Sequence, residues 1–489
     1  MAKVVLKDGY DVVIAGAGPC GCLLAKDLSK AGKKVLLIEH GGKTLKGIGT
    51  SMGMLNGEHM ISDKGSSWSL SIEGNGVVVG RGIGGGSYLY AGIAALPQFA
   101  PWKEVGIDLE PYLEVAKEES WVAETPDEFM GPVSKKMLQA ANDLGYPFVK
   151  SLRHVRWEDC QYGCTTAPMG CKHGAKWMGY YAAEEAEEYG CELLTYTKVY
   201  NVIQENGKAV GVNARGVKDD QLYDIRGKMV ICAAGGAGSA VIMQHSGVPH
   251  AGMTIFGDPS FSTGGLLPED IGHKGLMYEH GTSVNFMDDE HGCLFASDLA
   301  WGRLFWAAYQ MKNHKSMRLA LQAFKNHPRK VGIFNKIHDE GAGRVAWDGK
   351  VSKYLTKKDE EKMNYCRAVN EKILYKMGCV PGSVSHGSLS HHAGGATFGH
   401  PGGTCSVGQV VDNNLESPIP NCYICDISVV PGAPSRPPVL TLVNLSKWFA
   451  PRVLARLNGT SVEVENKHVL GKETVQAKEQ VEREPVAVR

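Results

Sequence analysis

The chain is 489 residues long, with 43% hydrophobic and 21% charged residues, a composition that buries a sizeable core and excludes a disordered or fibrous protein. Lys+Arg and Asp+Glu both total 52, so the net charge is +0 and no global field recruits nucleic acid or an anionic membrane. The longest apolar candidate, 229–243, is short and broken by Gly235, Gly236 and Gly238, so no membrane span is expected. The first residues run into a strand without a signal-peptide core, and 13 Cys in no regular framework read mostly as reduced thiols. Both features point to the cytoplasm.

From Tyr10 the sequence reads as an apolar strand, a Gly turn, a helix to about Lys30 and a second strand over Lys34 to Glu39, which is a βαβ unit. A second Gly-rich turn, Gly80 to Gly86, follows a short strand, Gly76 to Val79. Composition then shifts to aromatic, acidic and Cys-bearing segments through Tyr180. Alternating stretches from Glu192 to Val230, with a turn at Asn206-Gly207, predict a β meander feeding the apolar strand Met229 to Cys232. From Phe261 to Val384 the pattern is mixed, with a basic helical stretch around Met317 to His327. Strand, turn and helix recur over 391–457, and the residues beyond are charged and solvated. The fold class is α/β. A Rossmann-like domain is expected from 1–95, 190–260 and 391–458, an interleaved α+β substrate domain from 96–189 and 261–390, and a charged tail over 459–489.

Gly16-Ala17-Gly18-Pro19-Cys20-Gly21 is a G-x-G-x-x-G that follows a strand and opens a helix, and Glu39 closes the next strand about 20 residues on. Gly16 permits the tight turn, Gly18 lets the backbone approach a diphosphate, and Gly21 lets helix and sheet pack. The helix N-terminus offers free N–H groups to the anion, and Glu39 suits ribose hydroxyls. A strand ending in Asp426 suits further hydroxyls, and Pro438 suits the first turn of a helix. There Val439 and Leu440 N–H groups and the helix dipole would stabilise negative charge.

Val12 to Gly42, including Ile38-Glu39-His40-Gly41-Gly42, resembles the N-terminus of the glucose-methanol-choline (GMC) family of FAD oxidoreductases. Three later blocks agree in order and approximate spacing. These are Gly80 to Ser87, Val230 to Ser239, and His400 to Cys405 with Asn421 to Ser428 and Arg436 to Thr441. The resemblance implies FAD held by the first turn, by His40, Arg81, Gly85, Gly86 and Ser87, by Val199 at adenine, by Ala234 and Gly235, and by Asp426 with the Pro438 helix.

It also implies a dehydrogenase that moves hydride from an alcohol or related C–H donor to flavin, with His400 as base. A near-repeat, His392 to Thr397, makes His392 and His391 its rivals. Two positions depart from the family pattern: Pro437 stands where a second Asn or His assists, and Tyr90 where many members carry Asn. Tyr90 is therefore a further acid–base candidate. Cys160-x3-Cys164-x6-Cys171 resembles the Cys-rich insert that holds an iron-sulfur cluster in some members, with one usual Cys replaced by Ala167. Cys422-x2-Cys425 lies on a strand whose alternation sends its members to opposite faces. Expected partners are a small-molecule substrate and an electron-acceptor protein or quinone rather than oxygen. Two other functions fit the residues: a flavin-dependent reductase of a carbonyl or C=C bond, favoured by Pro437, and an FAD-carrying electron-transfer subunit.

Overall fold

Val12, Val13, Ile14 and Ala15 are all buried, as a strand covered on both faces requires, and they end β1 (Val4–Ala15). The computed structural model describes residues 4–43, 68–162, 170–271, 281–298, 303–387 and 397–460. From β1 the chain turns into α1 (Pro19–Lys30) and returns as β2 (Val35–Ile38), parallel to β1. Then β3 (Glu192–Leu194) joins β2 in parallel. Next β4 (Thr197–Glu205), β5 (Lys208–Gly216) and β6 (Leu222–Cys232) form the antiparallel meander. Its first turn is Asn206-Gly207, both left-handed, as a tight hairpin demands.

The sheet order is β3-β2-β1-β6-β5-β4. β6 pairs in parallel with β1 along its length, and its last residues, beyond the meander, pair on the other side with the strand Cys422–Ile424. This insertion brings residues more than 400 positions apart to one sheet edge. After β6 the helix α2 (Gly235–His245) opens, as the Gly turn predicts. The C-terminal helix Val439–Asn458 packs along α1, where Lys447 Nζ lies 2.9 Å from Asp27 and 2.8 Å from Glu119.

A second, larger sheet is built around β7 (Pro259–Leu266), which pairs antiparallel with β8 (Lys330–Ile337); between them the chain forms helices α3 (Arg303–His314) and α4 (Met317–Asn326). Phe261, Phe295, Ile333 and Ile337 fill its core against Met363 and Ile373 of the helix Lys357–Lys376. This sheet also takes the short strands Trp68–Leu70, Gly76–Val78 and Thr397–Phe398, from segments that the sequence reading gives to the cofactor domain. Helices and sheets therefore form the mixed α/β architecture expected.

Candidate active site

Three Gly-bearing turns meet at the C-terminal ends of β1, β2 and β6. The first is held by packing: a Cβ at Gly16 would lie 2.4 Å from Ala233 O, and one at Gly21 only 2.0 Å from Gly16 O. The second turn docks on the first, with Gly84 N donating to Ala17 O at 2.7 Å. Glu39 is the hub between them. Its buried carboxylate accepts from Ala17 N at 2.9 Å on one oxygen, and from Gly41 N and Gly82 N, both at 2.8 Å, on the other. Asp426 does the same for the third turn, accepting from Gly235 N at 2.8 Å, Ser239 Oγ at 2.6 Å and Ser428 N at 2.7 Å. Burial pushes the Asp426 carboxyl above its usual range.

The cradle is open where a dinucleotide needs it. A Cβ at Gly18 would meet nothing nearer than Ala233 O at 3.9 Å, and one at Gly86 or Gly235 would meet nothing within 4 Å. Gly18 stands at the N-cap of α1, whose first N–H groups and dipole favour an anion. These residues fit the diphosphate of FAD, and the acids at 39 and 426 fit hydroxyls through their remaining lone pairs. Ser87 is committed internally, since its hydroxyl donates to Gly84 O at 2.5 Å and accepts from Gly179 N at 2.9 Å. Arg81 and His40 are half-buried, Val199 and Cys20 are buried, and Pro19 begins α1. Ala234 is the N-cap of α2. Pro438 caps the C-terminal helix, with Val439 and Leu440 buried in its first turn.

His400 reaches this region through its neighbours. A Cβ at Gly236 would lie 2.0 Å from Pro401 O, and Thr404 Oγ1 donates to Gly236 O at 2.5 Å, so the His400 segment is pinned on the start of α2. The imidazole is 16% exposed, and its Nδ1 lies 3.0 Å from Lys336 Nζ and 3.2 Å from Asp258 Oδ2. Burial, with the Lys336 charge second, holds the imidazole well below its ordinary range. Burial likewise brings Lys336 down to about 8, opposed by Asp258 and Asp339, and raises the Asp258 carboxyl well above its usual range. Asp258 has a left-handed backbone, φ 50°; Asp339 Oδ1 fixes that turn by accepting from Gly257 N and Asp258 N, both at 3.0 Å. Lys353 Nζ pairs with the other Asp339 oxygen at 2.6 Å.

The sequence reading missed Asp258 and Lys336. Asp258 lies 142 positions from its histidine, and no spacing rule links them. Lys336 had a usable signal: a lone cation in the apolar run Val331 to Ile337 is a buried charge that needs a partner.

Tyr90 is buried and donates to Trp177 O at 2.7 Å, and burial pushes its phenol well above the usual range. His392, its neighbour His391 and Cys164 lie outside the described residues. Cys160 and Cys171 are half-buried thiols, and among the described residues no group of three His, Cys, Asp or Glu side chains is placed to hold a metal. Cys422 and Cys425 point opposite ways, the first toward Cys232 and the second toward Cys20, as strand alternation requires.

A parallel sheet with a Gly turn at the head of α1, an acid after β2 and a returning C-terminal strand defines a dinucleotide-binding oxidoreductase of the flavoprotein class. Known proteins sharpen this. A family model described as GMC oxidoreductase matches residues 10–274 with its N-terminal part and 342–446 with its C-terminal part. The chain belongs to the GMC oxidoreductase family and is an FAD-dependent enzyme. It is similar to an uncharacterised protein of Methanocaldococcus jannaschii, 26% identical over 91% of this chain and 100% of the other. An uncharacterised GMC-type oxidoreductase of Mycobacterium tuberculosis is 23% identical over 92% of this chain and 76% of its own. A long-chain-alcohol oxidase of Arabidopsis thaliana is 21% identical over 91% and 67%. No helix among the described residues is long and apolar enough to cross a membrane.

Proposed function

We propose that this enzyme oxidises an alcohol or related C–H donor, with His400 Nε2 taking the hydroxyl proton. The observation that carries this reading is the clamp on Nδ1. In the tautomer whose Nδ1–H donates to Asp258 Oδ2, the neutral imidazole has a bare Nε2, the form a general base needs, and Lys336 Nζ at 3.0 Å from the same nitrogen is then a neighbour and not a donor to it. Bound FAD supplies the hydride acceptor. Burial, with the Lys336 charge second, disfavours the imidazolium and keeps the resting imidazole unprotonated. Glu39 and Asp426 hold the three turns in register for the cofactor, and the Tyr90 hydroxyl is committed to Trp177 O. The similarity to a long-chain-alcohol oxidase supports an alcohol as donor. The proposed electron acceptor is a quinone or a protein.

Pro437 favours a second reading, reduction of a carbonyl or C=C bond, because it removes the assisting side chain. Anaerobic mixing with a panel of alcohols separates the two. Bleaching of the flavin by a donor, lost on His400→Gln with FAD retained, supports oxidation. Bleaching at the wild-type rate in that variant, or by no donor at all, rejects it.

A further inference from the structure

Charge is balanced over the whole chain but not along it. Between Asp298 and Asp339 there is no Asp or Glu, whereas eight Lys and Arg residues occur: Arg303, Lys312, Lys315, Arg318, Lys325, Arg329, Lys330 and Lys336. This stretch folds as the α3–α4 hairpin leading into β8. Its inner side is anchored. Trp306 packs against Ile93, Leu294, Ala296 and Phe334, with Lys330 Nζ 3.5 Å from the centre of its ring, and Arg303 covers Phe324 at 4.9 Å.

The hairpin also exposes apolar side chains. Leu304, Met311, Met317, Leu319 and Leu321 are 58%, 38%, 61%, 40% and 62% exposed, so five of the seventeen exposed large hydrophobic residues in the described chain fall within this one hairpin; Met317 and Leu321 share one flank of α4, and Leu319 lies on its other side. On a helix with 3.6 residues per turn, Met317 and Leu321 are neighbours, and Lys325 and Arg318 follow them on the same flank. Lys315, Arg318 and Lys325 are all exposed. An apolar strip edged by long cations, with no acid in the segment, is the pattern of a helix that lies in a lipid interface. Its aliphatic side chains enter the acyl boundary while its cations snorkel to phosphate. A protein-binding core instead concentrates aromatic anchors with charges depleted at its centre.

We propose that the α3–α4 hairpin docks the enzyme on the surface of an anionic lipid bilayer. The hairpin feeds directly into β8, which carries Lys336 to His400 six residues later, roughly 20 Å along the strand. The docking itself does not depend on the chemistry at His400.

Co-sedimentation of the FAD-loaded, full-length protein with vesicles tests this. Phosphatidylglycerol–phosphatidylcholine vesicles are expected to retain the protein, pure phosphatidylcholine vesicles to retain far less, and added salt to release it. Replacing Lys315, Arg318 and Lys325 together by Gln should weaken binding on the order of 100-fold, about fivefold per cation. Met317→Gln with Leu321→Gln should abolish retention while the cations remain. Unchanged flavin content and melting temperature show that these surface variants fold. Retention indifferent to lipid charge, or unaffected by both sets of substitutions, overturns the proposal. So does a wild-type dimer in solution that the Met317 and Leu321 changes dissociate, because a second copy would then be the occupant.

Discussion

Replacing Gly18 by Ala separates the cofactor cradle from the fold that supports it. Gly18 has φ −74° and ψ −176°, a backbone open to any L residue, and its added Cβ would meet only Ala233 O at 3.9 Å. The lower unfolded-state entropy of Ala and its poorer N-cap preference nearly cancel, so the apo protein should change by no more than about 0.5 kcal/mol. The methyl group occupies the open side of the turn, where overpacking against a diphosphate costs ~1–3 kcal/mol and weakens FAD roughly 5- to 150-fold. Gly16→Ala is the contrasting case. Its φ is 109° and its Cβ would lie 2.4 Å from Ala233 O, so strain and overpacking together remove about 2–5 kcal/mol from the fold itself. Urea unfolding of the apo proteins and fluorescence titration with FAD measure the two effects. Wild-type FAD affinity in Gly18→Ala, or an apo stability loss as large as that of Gly16→Ala, would refute the placement of the diphosphate.

Four further outcomes are expected. His400→Ala should slow flavin reduction by the true donor ~100- to 10,000-fold while FAD stays bound, as rapid-mixing absorbance would show. Lys336→Met removes the cation that lowers the imidazole, so the acidic limb of the reduction rate should move to higher pH; a limb that stays in place or moves down contradicts the clamp. His154 is fully buried, with its ring lowered to about 4 chiefly by burial. Its unfolded value near 6.5 is higher, so the unfolded chain binds the extra proton first, and about 3 kcal/mol of stability present above pH 6.5 should vanish as pH falls to 4; His154→Gln should flatten that loss in urea titrations. If Cys160, Cys164 and Cys171 hold a cluster, anaerobically purified protein should contain iron and acid-labile sulfide, and both should fall in Cys171→Ser; background content makes these ordinary thiols.

The sequence by itself determined the nucleotide-binding half of the molecule. Each element there is local: an apolar strand, a Gly turn that only close backbone packing explains, a helix start, and an acid some 20 residues on. Hydrophobic period and turn chemistry act over a few residues, so β1, α1, β2, the Asn206-Gly207 hairpin and the helix after Pro438 were all legible. The Cys422 and Cys425 alternation was legible for the same reason. Tertiary structure alone decided that Glu39 and Asp426 bind backbone N–H groups of three separate turns, that Gly76–Val78 and Thr397–Phe398 join the second sheet, and that Tyr90 has its proton committed to Trp177. It alone also brought Asp258, Lys336 and His400 to one nitrogen. Those contacts join residues 64 and 142 positions apart, and the pairing of a buried charge is fixed by which strands become neighbours in a sheet, a quantity that no local pattern encodes.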